Sequence, residues 1–217
     1  MFLCLGLVTT SLHAQKWNKK SITGQGALVK QTLSVDDFQS IGVGLNATVY
    51  LTQGSRYKVE IEAQKNIIDA LKKEVKDGSW NIGFGDKVNA KNYKKAKIWI
   101  TMPTVRSLSI GGSGEIIGQT AFNNLDDLKL SIAGSGEIDL KGDAKACKLN
   151  IAGSGKINAK NLEMASAKVS IAGSGTTYVH VKGGELNVSI AGSGSVFYNG
   201  SAKIKTSIAG SGSVQSL

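Results

Sequence analysis

Six copies of one octapeptide pattern constrain this chain more than any other feature. SIGGSGEI spans Ser109–Ile116, SIAGSGEI spans Ser131–Ile138, and NIAGSGKI, SIAGSGTT, SIAGSGSV and SIAGSGSV begin at Asn150, Ser170, Ser189 and Ser207. The leading isoleucines, Ile110, Ile132, Ile151, Ile171, Ile190 and Ile208, are 22, 19, 20, 19 and 18 residues apart. Self-similarity at a fixed short period is the signature of a repeat architecture, in which each unit buries its apolar face only against its neighbours.

Period-two alternation surrounds every copy. Leu128, Leu130 and Ile132 fall on one side, with Lys129 and Ser131 on the other; Cys147, Leu149 and Ile151 repeat the pattern, as do Leu186, Val188 and Ile190. That is a strand with one wet face and one buried face. No repeat holds an apolar stretch long enough for a packed helix, and propeller blades need about twice this period. The expected fold is all-β: a right-handed parallel β-helix (solenoid) with coils of about 19 residues, stacked about 4.8 Å apart so that equivalent positions form ladders. Ile132 then lies between Ile110 and Ile151. The paired glycines, such as Gly134 and Gly136, allow bends and close coil approach that a Cβ would obstruct. Glycine supplies 27 of the 217 residues and proline one, without the three-residue period of collagen.

The N-terminal half is less regular. Residues 15–105 read as the start of the same solenoid with an excursion that caps its open end, and 106–217 as the regular part with its six GSG coils. Ser40-Ile41-Gly42-Val43-Gly44 reads as a degenerate version of the bend, followed by Ala47, Val49 and Leu51 in alternation. Lys65–Lys76 is the helix candidate, with Ile67, Ile68, Leu71 and Val75 as its stripe and Asp77-Gly78 as its stop. Residues 1–14, MFLCLGLVTTSLHA, read as a secretory signal peptide, its apolar part far too short to span a bilayer. Cleavage after Ala14 leaves Cys147 as the remaining cysteine, so no intramolecular disulfide is expected.

Candidate chemistry is sparse. Every GSG leads into another strand, whereas a nucleotide loop needs a following helix. The residues after each GSG are Glu115, Glu137, Lys156, Thr176, Ser195 and Ser213, which cannot build a regular calcium ladder. Glu115 and Glu137 would stand one coil apart on the outer surface, not across a cleft as glycoside hydrolysis requires. His180 alternates outward, and Cys147 inward as a small buried hydrophobe. Neither an enzyme nor a cofactor is expected.

The net charge is +10, of which +8 lies before Ser109. Trp17 with Lys19 and Lys20, and Tyr93 with Lys94 and Lys95, are the candidate contacts for a glycan, lipopolysaccharide or other anionic polymer. Nucleic acid is not expected, because no groove module of the usual kinds is visible. The serine ladders of the outer face, Ser131, Asn150, Ser170, Ser189 and Ser207, read either as a docking array for an extended glycan or peptide or as a solvated face.

Phe38–Gly54, the Glu60–Asp77 segment ending LKKEVKDG, the aromatic strand to Phe84 and the SIGGSGEI coils together resemble a known family. It is the autotransporter-adhesin head domain of the GIN type, common in Bacteroidetes, and the similarity runs from about Gln31 to the last coil. The resemblance implies an exported β-helical domain with an adhesin-like role and carries over no catalytic or binding residues. The sequence shows no series of alternating ten-residue strands of a membrane barrel. The expectation is therefore a non-enzymatic periplasmic, outer-membrane-surface or extracellular solenoid. The alternatives are a polysaccharide-active enzyme on a β-helix and a purely structural self-associating module. Weak homo-oligomerisation through the open C-terminal coil is also expected.

Overall fold

The computed structural model describes residues 19–217, so the signal segment and Trp17 lie outside the described residues. Inward aliphatics and outward polar residues alternate along most strands, and the strands stack, mostly in parallel, into one continuous 17-stranded sheet that curls into a solenoid. The regular coils repeat two strand runs. The first run aligns Ser107–Gly112 with Lys129–Gly134, Lys148–Gly153, Lys168–Gly173, Asn187–Gly192 and Lys205–Ala209, one residue above another. The second follows each GSG corner and aligns Glu115–Ile117, Glu137–Asp139, Lys156–Asn158, Thr176–Tyr178, Ser195–Phe197 and Ser213–Gln215. Each coil returns through a less regular stretch, where Leu125, Ala144, Met164 and Val181 are in register.

The core is the stack of these inward ladders. Ile110, Ile132, Ile151, Ile171 and Ile190 are buried in a single line, flanked by Leu108, Leu130, Leu149, Val169 and Val188. Cys147 aligns with Leu128 and is buried with it. The GSG corners close because glycine is the residue there: Gly134, Gly153, Gly173, Gly192 and Gly210 all have φ between 120° and 127°.

Spatial order departs from chain order in the N-terminal half. Ser40–Val43 and Ala47–Gln53 form a coil that stacks on Ser107–Gly112 and Glu115–Gly118. Its other side is covered by a later coil, Ser79–Ile82 with Ala96–Met102. The chain lays down the 40–53 coil, turns back to build beyond it, and crosses to the opposite side through Pro103–Arg106, where the Arg106 N–H donates to the Gln39 carbonyl at 2.7 Å. Two antiparallel strands, Lys58–Gln64 and Leu28–Leu33, then extend the sheet past Ala96–Met102. A separate two-stranded parallel pair, Lys20–Thr23 with Val88–Lys91, lies outside the main sheet. Phe38 fills the irregular end, its ring centroid 5.5 Å from that of buried Trp80 and 5.8 Å from that of Tyr57.

Two local readings change. The helix spans Lys65–Asp69 alone, burying Ile67 and Ile68. Val75–Lys76 is instead a strand antiparallel to Ser79–Trp80. Asp77 and Gly78, at φ 50° and 67°, form the two-residue hairpin turn that this dipeptide favours. The second change is the stacking of Ser40–Val43: Val43, not Ile41, takes the place of the repeat isoleucine, opposite Ile110. A two-residue slip preserves which side chains face inward, so alternation alone could not detect it.

Candidate functional site

A groove of about 860 Å³ runs over the first strand run of all six regular coils. Its surface is made by two outward ladders. One is Ser109, Ser131, Asn150, Ser170, Ser189 and Ser207; the other is Gly111, Ala133, Ala152, Ala172, Ala191 and Ala209. Alternation places both lines on the same side of the strand, and small side chains at every level leave a trough instead of a ridge. Five coil spacings make it about 24 Å long. The hydroxyls are largely uncommitted: Ser109 donates to the Ile41 carbonyl at 3.3 Å and the Asn150 amide to Ser131 at 3.4 Å.

A third outward ladder runs beside the serines, two residues earlier on each strand: Ser107, Lys129, Lys148, Lys168, Asn187 and Lys205. On the second strand run, the position three residues after each GSG carries Ile117, Asp139, Asn158, Tyr178, Phe197 and Gln215. Tyr178 and Phe197 stack at 5.0 Å. In the same line beyond Ile117, Tyr50 and Trp99 stack at 5.7 Å, with the Lys30 ammonium 4.5 Å from the Trp99 ring centre.

The residues proposed from sequence at the basic end are placed as follows. Lys19 and Lys20 are exposed at the start of the two-stranded pair, beside Lys87. Tyr93 is half-buried, edge-on to Phe84, and its hydroxyl accepts the Asn46 N–H at 3.0 Å. Lys94 is exposed, and its backbone N–H donates to Gln64. Lys95 reaches Glu115 at 2.8 Å. Lys20 and Lys94 thus sit near opposite ends of the pair, and Trp17 lies outside the described residues.

Several acidic groups pair with lysines of other coils. Glu115 accepts from Lys95 and, at 2.7 Å, from the Thr48 hydroxyl, and both bonds hold its carboxyl below the usual carboxylate range. Glu137 meets Lys156 at 2.8 Å, which raises the lysine. Glu115 and Glu137 are directly in register on one face. Burial pushes the Cys147 thiol up to about 12, so it carries negligible thiolate at neutral pH. Among the described residues, no group of three or more His, Cys, Asp or Glu side chains is arranged to hold a metal ion.

Both the lysine line and the aromatic line escape a reading based on residue clusters along the chain. The signal was present: K-x-[S/N]-I-A-G-S-G recurs at Lys129, Lys148, Lys168 and Lys205. Residues about 19 apart in sequence meet only when coils are superposed.

Residues 37–202 match the family described as "Putative auto-transporter adhesin, head GIN domain". The chain belongs to this family. The GIN domain is also similar to a crystal structure of a "putative adhesin" from Bacteroides fragilis, with 26% identity and a TM-score of 0.71, over 90% of this chain and 100% of that one. A "putative lipid binding protein" from Parabacteroides distasonis shares the fold at 24% identity and a TM-score of 0.56, over 91% and 100% of the two chains. A "putative adhesin" from Parabacteroides merdae does so at 19% and 0.56, over 91% and 99%. No curated protein matches the sequence. Membership places this GIN domain among exported, surface-associated, adhesin-like proteins. No helix among the described residues is long and apolar enough to cross a membrane.

Proposed function

We propose that this GIN domain is a non-enzymatic binding module of the periplasm or cell surface, and that it holds one extended polymer chain along the groove over its six regular coils. The observation that carries this reading is the groove itself: the same serine and alanine positions recur at every level, so a ligand that repeats along its own axis meets the same surface repeatedly. A small compact ligand would use only a fraction of that length. The basic end, with Lys19, Lys20 and Lys94, adds long-range attraction for an anionic polymer.

The test is binding of the chain from Gln15 onward to neutral and acidic polysaccharides, with and without Ala172→Trp. Ala172 is exposed near the middle of the groove, so an indole there fills the trough without entering the core. Saturable binding that the tryptophan reduces by about tenfold or more supports the proposal. Binding unchanged by it, or no binding by folded protein, refutes it. A second reading, self-association through the last coil, is favoured by the exposure of Ile204 and Ile208 on its strand Lys203–Ala209. Sedimentation showing one monomeric species at all concentrations would eliminate it.

A further inference from the structure

On most of the solenoid surface, charges in adjacent coils are matched. Lys145 meets Asp126, Lys156 meets Glu137, Lys182 meets Glu163, and Lys205 meets Glu185, in each case with one partner a coil away from the other, and Lys95 reaches across the intervening 40–53 coil to Glu115. In the line beside the groove Lys205 follows this pattern, but the three other lysines do not. Lys129, Lys148 and Lys168 are stacked directly on one another at three successive levels, and all three are exposed. None of them has a carboxylate within ion-pair distance among the described residues. Asp127, the nearest acid on the same strand, lies on the side of Lys129 away from the groove. Like charges directly opposite on neighbouring strands are unfavourable, and about 4.8 Å separates each pair of strands. A surface shaped only for solubility would gain by placing a glutamate at one of these levels, as the face bearing Glu137 and Lys156 does.

We infer that the Lys129–Lys148–Lys168 ladder reads the charge of the groove's occupant, and that this occupant is an extended acidic polysaccharide. The inference rests on the groove reading above and adds the ligand's chemistry. The ladder runs parallel to the trough, two residues or about 7 Å up each strand from Ser131, Asn150 and Ser170. A chain lying in the trough therefore presents its pendant anions to the ammonium groups and its hydroxyls to the serines and to Asn150. No aromatic side chain lines this face, so it offers no platform for stacked bases and suits a sugar polymer better than a single-stranded nucleic acid. Lysine suits the task, because a flexible point charge follows anions whose spacing need not match the coil repeat.

The experiment uses alginate as the acidic probe, dextran as the neutral one and an oligothymidylate as a polyanion without sugar-rich chemistry. Binding to the chain from Gln15 onward is measured for the unmodified protein, for K129E/K148E/K168E, for K129Q/K148Q/K168Q and for Ala172→Trp. The expected result is that alginate binds more tightly than either other probe. The glutamine triple weakens alginate at least about tenfold and the glutamate triple abolishes it, while dextran binding is the same in all three lysine backgrounds. Raising salt from about 20 to about 300 mM weakens alginate binding to the unmodified protein more than binding to the glutamine triple. The glutamine triple removes repulsion without creating a new charge, so it keeps the test valid if the glutamate triple fails to fold. Alginate binding that survives both triples but is lost in Ala172→Trp overturns the charge reading and leaves the groove reading intact. Alginate binding insensitive to all three substitutions overturns both. Oligothymidylate binding as tightly as alginate overturns the choice of polymer.

Discussion

The GSG corners let the energetic cost of a left-handed bend be separated from that of close coil stacking. Gly112 and Gly173 occupy equivalent corners, with φ of 105° and 120°, a region that alanine rarely adopts. A Cβ on Gly112 would have nothing within 4 Å, whereas one on Gly173 would sit 2.5 Å from the Gly153 carbonyl oxygen in the coil before it. Gly112→Ala should therefore cost only the backbone strain, about 1–3 kcal/mol. Gly173→Ala carries the same strain and must also push two backbones apart by nearly 1 Å to restore ordinary contact. That weakens the bond from the Ser174 N–H to the Gly153 oxygen, now 3.0 Å, worth about 1 kcal/mol. It also loses a quarter to a half of the local dispersion. The excess over Gly112→Ala should be about 2 kcal/mol, or roughly 5 °C in Tm for a chain of this size. Thermal unfolding followed by far-UV circular dichroism, with urea midpoints as a second probe, would measure it. Ser174→Ala, at an exposed neighbouring position, should stay within about 0.5 kcal/mol of the unmodified protein. Equal destabilisation by the two glycine variants would refute the claim that inter-coil approach, and not φ alone, makes these corners glycine.

Thr177 is fully buried between Ile157 and Val196 in the inward ladder, and its hydroxyl has no hydrogen-bond partner. Thr177→Val keeps the shape and removes the orphan group, so it should stabilise by about 1 kcal/mol and raise Tm; a lower Tm would refute the assignment. Glu115, Asp126 and Glu185 are each held below their ordinary carboxylate values, first by the hydrogen bond from Lys95, Lys145 and Lys205 respectively. Because the folded state binds these protons more weakly than the unfolded state, the stabilisation is complete above the ordinary values of 4.5, 3.8 and 4.5 and is lost as pH falls through the lowered ones. Urea midpoints should thus decline on acidification below about pH 4.5, with Glu115→Gln declining less; a midpoint that rises in that range would contradict the ion-pair geometry.

The regular coils were legible because period, alternation and glycine position agree. Once the isoleucines at 110, 132, 151, 171, 190 and 208 are superposed, the inward residues of the first strand run follow, all of them buried up to Ile190. The N-terminal half was legible only in part. Its strands alternate as strands should, yet nothing local to Ser79–Ile82 says that it stacks outside Ser40–Val43, because that choice depends on non-local pairing. Lys65–Lys76 carried a helical stripe, but Asp77-Gly78 is as good a hairpin turn as a helix stop. Pairing of Val75 with Trp80 decided between them. At the candidate site, clusters along the sequence drew attention to Lys94 and Lys95, whereas the structure engages Lys95 with Glu115 and Tyr93 with Asn46. The lysine ladder escaped notice because its members are 19 and 20 residues apart and mean little until they are stacked.

In a solenoid the register turns sequence position into surface position, so a single residue type repeated at one place in each coil becomes a line, not a patch. That geometry explains how one chain can hold opposite electrostatic solutions on its faces. Where Glu137 stacks on Lys156, opposite charges cancel the field within one coil spacing and leave a surface of little reach. Where Lys129, Lys148 and Lys168 stack, the fields add along the axis and point outward beside the trough. Such a line is unfavourable to the folded protein alone and becomes favourable only when a counter-charge lies along it. The repulsion therefore has a measurable signature without any ligand: added salt should stabilise the unmodified protein more than K129Q/K148Q/K168Q, since the former has three additional like charges aligned within a Debye length to screen. If salt shifts both equally, the three ammonium groups do not interact strongly, and their alignment beside the groove loses its energetic meaning.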